Sequence, residues 1–320
     1  MHYPNSIEDI CYDPEHIKAV FSEIKGNFYA YWNDFIRSYS VIKIDIQKLA
    51  EHFGTDTPER KKKDCEVILK NIITEGIKDF ENDRLKYLDI LDPDSLLEYK
   101  DDPSYFKNTV LRNQCPIIHF TLANKSAKEL DKYRKDFNLA TANELLNVTT
   151  NLTNFANDYY KSVYNEAEYE SYDDLKSLKL GDLQKEDYVV FGVIGGGIKS
   201  HFLYKMYPSV FPNRSRSAIW ALYYLTNKKK FLCKQDSEFL MINTKYCTTQ
   251  QNYFYPYDLF SYYAYRLYLL IKSEIKNEGI SLSSEYRYVI VDSFLSFVQE
   301  KHSSEISLLA KNIEEASYGY

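Results

Sequence analysis

Four of the ten glycines in this chain of 320 residues lie close together, at Gly192, Gly195, Gly196 and Gly197. Glycine is required where the backbone adopts a positive φ or where another atom must approach it closely. The apolar residues 188–194 lead into this run and have the length and composition of a buried strand. The sequence therefore predicts a sharp turn from a strand into a helix.

A helix that begins at glycines is suited to bind an anion, because its first backbone N–H groups have no partner within the helix. Basic side chains lie near the turn, and phosphate is their natural ligand. The alternative is that the glycines only allow the strand and the helix to pack closely. The candidate ligand-binding residues are Gly195, Gly196, Gly197, Lys199, Ser200, Arg214 and Arg216.

Two familiar nucleotide-binding patterns come close to this segment, and neither fits. Ser200 stands where the dinucleotide fingerprint has its third glycine or alanine. Ile198 separates Gly197 from Lys199, whereas a P-loop has the lysine directly after the glycine. We therefore expect the last domain to bind a phosphate-bearing ligand, with nucleic acid as the first choice and a nucleotide as the second, and we assign no family. His201 is a candidate acid or base beside the turn.

A second candidate site surrounds the strand predicted at residues 238–246. Asp236 and Glu238 stand at its start, and Lys245 stands near its end. This order resembles nucleases of the restriction-endonuclease type, which hold a divalent cation between two acids and place a lysine near the attacked bond. Asn243 replaces the second acid. One interpretation is thus a metal-dependent nuclease, with Asp236, Glu238 and Lys245 as catalytic residues and Asp236 also as the metal ligand. The other is an ordinary strand with polar ends.

Tyrosine is the compositional outlier, with 31 residues. Tyrosine offers an amphipathic surface that loses little side-chain entropy when a partner binds. A non-enzymatic interaction subunit, bound to a partner protein or to a second copy of the chain, is therefore a further hypothesis. Tyr253 and Tyr255 could equally stack on bases or lie beneath a loop.

The expected fold class is α+β and predominantly helical. We predict a helical domain over residues 1–165, an acidic linker or exposed excursion over 166–187, and an α+β domain over 188–320. The last domain would contain a small buried sheet flanked by helices. Residues 116–122 are a further strand candidate, because they are short and rich in β-forming residues.

Proline marks several predicted helix boundaries. Pro58 suits the first position of a long helix. Acidic residues flank Pro93 and precede Pro103, which predicts breaks at both places. Pro256 precedes another long helical pattern, whereas the periodicity of residues 286–291 does not distinguish a strand from a helix.

Charge and cysteine content limit the function classes. The net charge of −6 argues against a protein that coats nucleic acid or an anionic membrane. The first ten residues lack the pattern of a signal peptide, and no apolar run approaches the roughly 18 residues that span a bilayer. We expect a cytoplasmic protein without a membrane partner. No disulfide framework or zinc knuckle is indicated, because the cysteines are odd in number and scattered, at Cys11, Cys65, Cys115, Cys233 and Cys247.

Overall fold

The computed structural model describes residues 7–47, 58–127, 130–234, 236–243 and 248–317. Helices account for 73% of the structure, and a small two-stranded antiparallel sheet accompanies them. The predicted class, α+β and predominantly helical, is confirmed. Within these ranges no helix combines the length and the apolar character that crossing a bilayer requires.

The α-helices follow one another along the whole described chain. In order they are α1 (Pro14–Gln47), α2 (Pro58–Ile90), α3 (Pro93–Glu98), α4 (Pro103–Tyr105), α5 (Pro116–Ala123), α6 (Asp131–Leu139), α7 (Ala142–Asp158), α8 (Glu166–Tyr169), α9 (Gly196–Met206), α10 (Arg216–Leu225), α11 (Tyr257–Asn277), α12 (Arg287–Lys301) and α13 (Ser303–Ser317). Stretches of π-helix extend α4 over Phe106–Gln114 and α7 over Tyr159–Val163.

Contacts between residues divide the chain into two compact units. Unit 1 consists of Met1–Lys78, Arg216–Asn252 and Tyr263–Tyr320. Unit 2 consists of Asp79–Ser215 and Tyr253–Tyr262. Two of the boundaries between the units lie inside helices, in α2 and in α11. Each unit combines segments that are distant in sequence.

An aromatic cluster forms part of the core of unit 1. Phe28, Trp32 and Phe35 lie on one face of α1, because residues four and seven positions apart align along a helix. All three side chains are buried. Their ring centroids lie 5.6, 5.9 and 5.8 Å from the ring of Phe294 on α12. These rings therefore join the beginning of unit 1 to its end.

Helix α7 is the main packing element of unit 2. A capping box starts it: the Glu144 N–H donates to Thr141 Oγ1 at 3.2 Å, and the Thr141 N–H donates to the Glu144 carboxylate at 2.9 Å. Leu145, Leu152 and Ala156 are fully buried along the helix. Helices α3, α4 and α9 pack against α7.

The predicted proline-marked boundaries are confirmed. Helix α2 begins at Pro58. Asp92 accepts a hydrogen bond from the Ser95 N–H at 2.9 Å, and Pro93 occupies the first turn of α3. Asp102 caps α4 in the same way. An acidic residue followed by proline therefore stops one helix and starts the next in this chain.

The strand predicted at residues 116–122 is wrong, because this segment forms helix α5. Pro116 takes the first helical position, where its missing N–H costs nothing. Ile118 is buried, whereas Phe120 is exposed. Short apolar runs do not distinguish a strand from a helix by periodicity, and here the proline favours the helix.

The strand predicted at residues 188–194 is also wrong. The chain reverses within this run, and Val190 and Ile194 exchange backbone hydrogen bonds at 3.1 and 2.9 Å. Gly192 allows the reversal with a φ of 77°. Phe191 at the tip is exposed, while Ile194 is buried. A tight loop, and not a strand, therefore leads into α9.

The small sheet lies where the sequence predicts a strand, although it is shorter. Strand β1 (Leu240–Asn243) pairs antiparallel with β2 (Thr248–Gln251), with Leu240 opposite Gln251. Residues 244–247 lie outside the described residues. Residues 287–291, which the sequence left ambiguous, belong to α12.

The acidic segment 166–187 forms short helical turns. Leu178, Leu180 and Leu183 are buried, so the segment is not exposed along its whole length. The Tyr159 hydroxyl donates to the Leu178 carbonyl at 2.6 Å. The segment is packed within unit 2, and the division of the chain into domains at this place stays a prediction.

Many of the tyrosines belong to the core. Tyr255 is buried, whereas Tyr253 is half-exposed. The buried tyrosines among the described residues are Tyr87, Tyr159, Tyr169, Tyr204, Tyr223, Tyr224, Tyr255, Tyr257, Tyr262, Tyr263, Tyr265, Tyr268 and Tyr288. These side chains serve packing, and the interaction-subunit hypothesis stays a prediction.

The aromatic cluster makes a stability prediction. We expect Phe294→Ala to lower the free energy of unfolding by about 3–5 kcal/mol, because it removes a ring that contacts three buried rings. Leu308→Ala changes an exposed side chain of the same unit and should stay within about 0.5 kcal/mol. Urea denaturation followed by tryptophan fluorescence measures both changes, since Trp32 and Trp220 lie in unit 1. Equal losses in the two variants would contradict this role for Phe294.

Candidate functional site

Helix α9 of unit 2 begins at the glycine run. Gly195 precedes its first turn and, having no side chain, offers that turn no side-chain cap. The Lys199 N–H donates to the Gly195 carbonyl at 2.9 Å, which starts the backbone ladder. The N–H groups of residues 196–198 precede this ladder and carry the positive end of the helix dipole.

The guanidinium of Arg214 lies against the first residue of α9. A Cβ atom at Gly196 would come within 2.5 Å of Arg214 Nη1, so only glycine fits there without displacing the arginine. Arg214 is 4% exposed, and this burial lowers its pKa to about 10. Ser200 Oγ accepts from the Arg214 N–H at 3.0 Å and donates to the Gly197 carbonyl at 2.9 Å. Arg214 is therefore held at the helix start through both its backbone and its side chain.

Lys199 is the second buried cation of this region. Its side chain donates to the Leu183 carbonyl, and the residue is 3% exposed. Burial first and the charge of Arg214 second lower the pKa of Lys199 to about 8, while the carboxylate of Asp258 acts in the opposite direction. Lys199 and Arg214 therefore place two cations with depressed pKa values beside the N-terminus of α9.

His201 faces the interior of unit 2. Burial lowers the pKa of His201 to about 4, and the positive charge of Lys205 contributes to the shift. The ring of Tyr87 lies edge-on to the imidazole, with 5.0 Å between centroids. Lys205 is itself paired with Asp83 at 2.6 Å. The imidazole of His201 is therefore neutral at neutral pH.

Other basic residues that follow α9 in sequence differ from Lys199 and Arg214 in exposure or in pairing. Arg216 begins α10, belongs to unit 1 and is exposed. Lys228 and Lys229, part of a basic run in unit 1, form ion pairs with Glu305 and Glu23. The structure thus brings Lys199, Ser200 and Arg214 together around the glycines of unit 2.

The two acidic nuclease candidates, Asp236 and Glu238, differ in their surroundings. Asp236 is exposed and interacts with Tyr223. Burial of the Tyr223 phenol and, second, the Asp236 carboxylate raise the pKa of that phenol to about 12. Glu238 is buried, and its carboxylate forms a hydrogen bond with the imidazole of His16. Lys245 lies outside the described residues. The metal-dependent nuclease stays a hypothesis without a supporting contact.

Glu238 instead belongs to a buried cluster in unit 1. The ligand atoms of Cys11, His16, Cys233 and Glu238 all lie within 4.8 Å of one another. The two sulfurs are 3.9 Å apart, and His16 Nε2 contacts Glu238 Oε2. The sequence reasoning missed this cluster, because its halves are 222 residues apart. The sequence does contain one regularity that could have pointed to the cluster: His16 follows Cys11 by five residues, and Glu238 follows Cys233 by the same number.

The described residues thus include a polar centre of unusual composition in each unit. Unit 2 has two buried cations at a glycine-rich helix N-terminus, and unit 1 has two thiols, an imidazole and a carboxylate in contact. The chain matches no protein-family model, no curated protein and no solved structure.

Proposed function

We propose that unit 2 binds a phosphate-bearing ligand at the N-terminus of α9. The observation that carries this proposal is the burial of Lys199 and Arg214 beside that helix end. Burying two cations near one another is unfavourable, as their lowered pKa values indicate. An anion between them would offset this cost and accept hydrogen bonds from the first N–H groups of the helix.

The glycines contribute access to the backbone. Residues 195–198 are half-buried, so this turn is not closed off from solvent. Gly196 also lets the guanidinium of Arg214 approach the helix start. A phosphate group placed there would meet backbone donors and a planar, multidentate side chain, the combination that proteins commonly use for phosphate.

The burial of both cations favours a single phosphate group over a nucleic-acid backbone as the ligand of this site. Its cations are buried, whereas a protein that follows a nucleic-acid backbone needs a row of exposed ones. Lys228 and Lys229 of the basic run already pair with acidic residues, and the net charge of the chain is −6. A nucleotide is therefore the ligand we favour, and binding of nucleic acid alone is the competing outcome of the test.

Gly196→Ala tests the proposed site directly. The added methyl group should displace the Arg214 guanidinium and weaken nucleotide binding about tenfold or more, since hydrogen bonds to a charged group contribute about 1.5–3 kcal/mol. Isothermal titration with ATP, inorganic phosphate and a short single-stranded DNA measures this change and ranks the ligands.

Gly26→Ala is the matched control. Gly26 lies in α1 of unit 1 and is exposed, and a methyl group added to it would meet no atom within 4 Å. This substitution should leave the affinity unchanged. Equal affinity of the Gly196→Ala variant and the original protein would refute the site, and so would the absence of binding to all three ligands.

The lowered pKa of Lys199 makes a second prediction. Lys199 is protonated below a pKa of about 8, so the affinity for sulfate should be constant from about pH 6 to 7. Above about pH 8 the affinity should fall, by up to about tenfold per pH unit, as the lysine loses its charge.

Sulfate is the appropriate probe because its own charge does not change over this range. His201 should not contribute, since its pKa of about 4 leaves it neutral throughout. Calorimetric titrations at a series of pH values measure the profile. A sulfate affinity that stays flat through pH 9 would exclude Lys199 as a partner of the anion.

A further inference from the structure

Four metal-ligating side chains of unit 1 converge from two distant segments. Cys11 lies in the 3-10 turn Asp9–Tyr12, and His16 lies in the first turn of α1. Cys233 and Glu238 lie in the segment between α10 and β1. All four residues are buried. Two thiols, an imidazole and a carboxylate together match the ligand types of zinc in proteins.

The distance between the two sulfurs fits a shared metal. Cys11 Sγ and Cys233 Sγ are 3.9 Å apart. Two thiolates bound tetrahedrally to zinc at about 2.3 Å would lie about 3.8 Å apart. A disulfide would require about 2.05 Å, and both residues are free cysteines.

The imidazole and the carboxylate complete the tetrahedron. Nε2 of His16 and Oε2 of Glu238 face each other across a hydrogen bond. Zinc binds such atoms at about 2.0–2.2 Å, so the two atoms would separate to about 3.4 Å to bind it in a tetrahedral site, and the proton between them would be lost. Removing a carboxylate and an imidazole from water is costly, and a bound metal ion would offset part of that cost.

The surroundings of His16 are those of a metal-binding histidine. The backbone of Phe231 hydrogen-bonds to the imidazole, and the Phe231 ring packs edge-on at 5.9 Å. Histidines that bind metals commonly use their second ring nitrogen for a backbone carbonyl or a carboxylate, which fixes the orientation of the ring. The Lys234 N–H donates to Glu8 at 2.6 Å and joins the two segments next to the cluster.

The backbone that leads to Cys233 is strained. Asn227, Lys228, Phe231 and Leu232 have φ angles of 52°, 60°, 46° and 68°. Residues other than glycine adopt such angles at a cost, and they keep them only where the surroundings require it. A metal bond to Cys233 would supply such a requirement.

Hydrogen bonds also fix the backbone next to His16 and the backbone of Glu238. Asp13 accepts a hydrogen bond from the Glu15 N–H at 2.8 Å, which caps α1 immediately before His16. The Asn252 side chain donates to the Glu238 carbonyl at 3.0 Å, at the end of the β1–β2 hairpin. The backbones that present the ligands are thus positioned by hydrogen bonds that do not involve the ligand atoms.

We propose that Cys11, His16, Cys233 and Glu238 bind one zinc ion that has a structural role. Four buried protein ligands fill a tetrahedral coordination sphere and leave no open position for substrate, which distinguishes structural from catalytic zinc sites. Two thiolates favour zinc over magnesium and calcium, which take oxygen ligands. The ion connects segments that are 222 residues apart.

Metal analysis of the full chain tests this proposal. Protein exposed to zinc and then desalted into metal-free buffer should contain about one zinc per chain, by elemental and native mass spectrometry. Replacement of zinc by Co²⁺ should give the intense visible absorption of a tetrahedral site together with a thiolate-to-cobalt charge-transfer band. A strong chelator should lower the melting temperature, because the metal binds only the folded state.

Serine substitutions identify the ligands. Cys11→Ser and Cys233→Ser should each lose most of the zinc and the charge-transfer intensity. Cys65→Ser, the same substitution at a half-buried cysteine of unit 1 outside the cluster, should retain both. Circular dichroism establishes whether each variant folds. If the two ligand variants do not fold, the Co²⁺ spectrum of the unaltered protein decides, since its charge-transfer band requires bound thiolate.

Three outcomes would overturn the zinc site. They are clearly substoichiometric zinc in the folded protein after exposure, a Co²⁺ complex without a thiolate band, and zinc retained by folded Cys11→Ser and Cys233→Ser. None of these outcomes bears on the anion site, because Lys199 and Arg214 belong to unit 2.

Discussion

Removing charged and polar groups from water is the constraint on which both polar centres depend. Lys199 and Arg214 lie in the interior of unit 2, and His16 and Glu238 lie in the interior of unit 1. Burial of such groups is tolerated only when hydrogen bonds, opposite charges or a bound ion replace the lost hydration. Backbone carbonyls and neighbouring side chains provide part of this replacement in each centre. The ligands that we propose for the two centres have opposite signs, an anion in unit 2 and a cation in unit 1.

Local chemistry made much of the helical architecture predictable. An acid followed by proline specifies a helix start within a few residues, and Asp92 and Asp102 act in this way. The two wrong strands, at residues 116–122 and 188–194, are apolar runs whose conformation is not decided locally. Hydrophobicity indicates that such a run is partly buried, but the partner against which it packs decides whether it becomes a helix, a strand or a loop.

The same distinction applies to the sites. Lys199, Ser200 and Arg214 are within 16 positions of one another, so the sequence could group them, and the structure places them together. Glu238 was predicted as a catalytic residue of a nuclease beside Asp236, whereas the structure places its carboxylate against His16. Cys11 and His16 become its neighbours only when the first segment of unit 1 meets Arg216–Asn252, and a single sequence carries no local record of that contact. Spacing motifs detect metal sites only when the ligands pair within one short segment.

The arrangement of unit 1 has a consequence for the order of folding during synthesis. Its first segment is made well before Arg216–Asn252 and Tyr263–Tyr320, while nearly all of unit 2 lies between them in sequence. The aromatic face of α1 must therefore remain without its native partners on the ribosome until α10 and α12 have emerged. Contacts of such long sequence separation form slowly, and apolar surface exposed in the meantime is prone to aggregate. The aromatic face of α1 is thus an apolar surface that a chaperone could cover until α10 and α12 have been made.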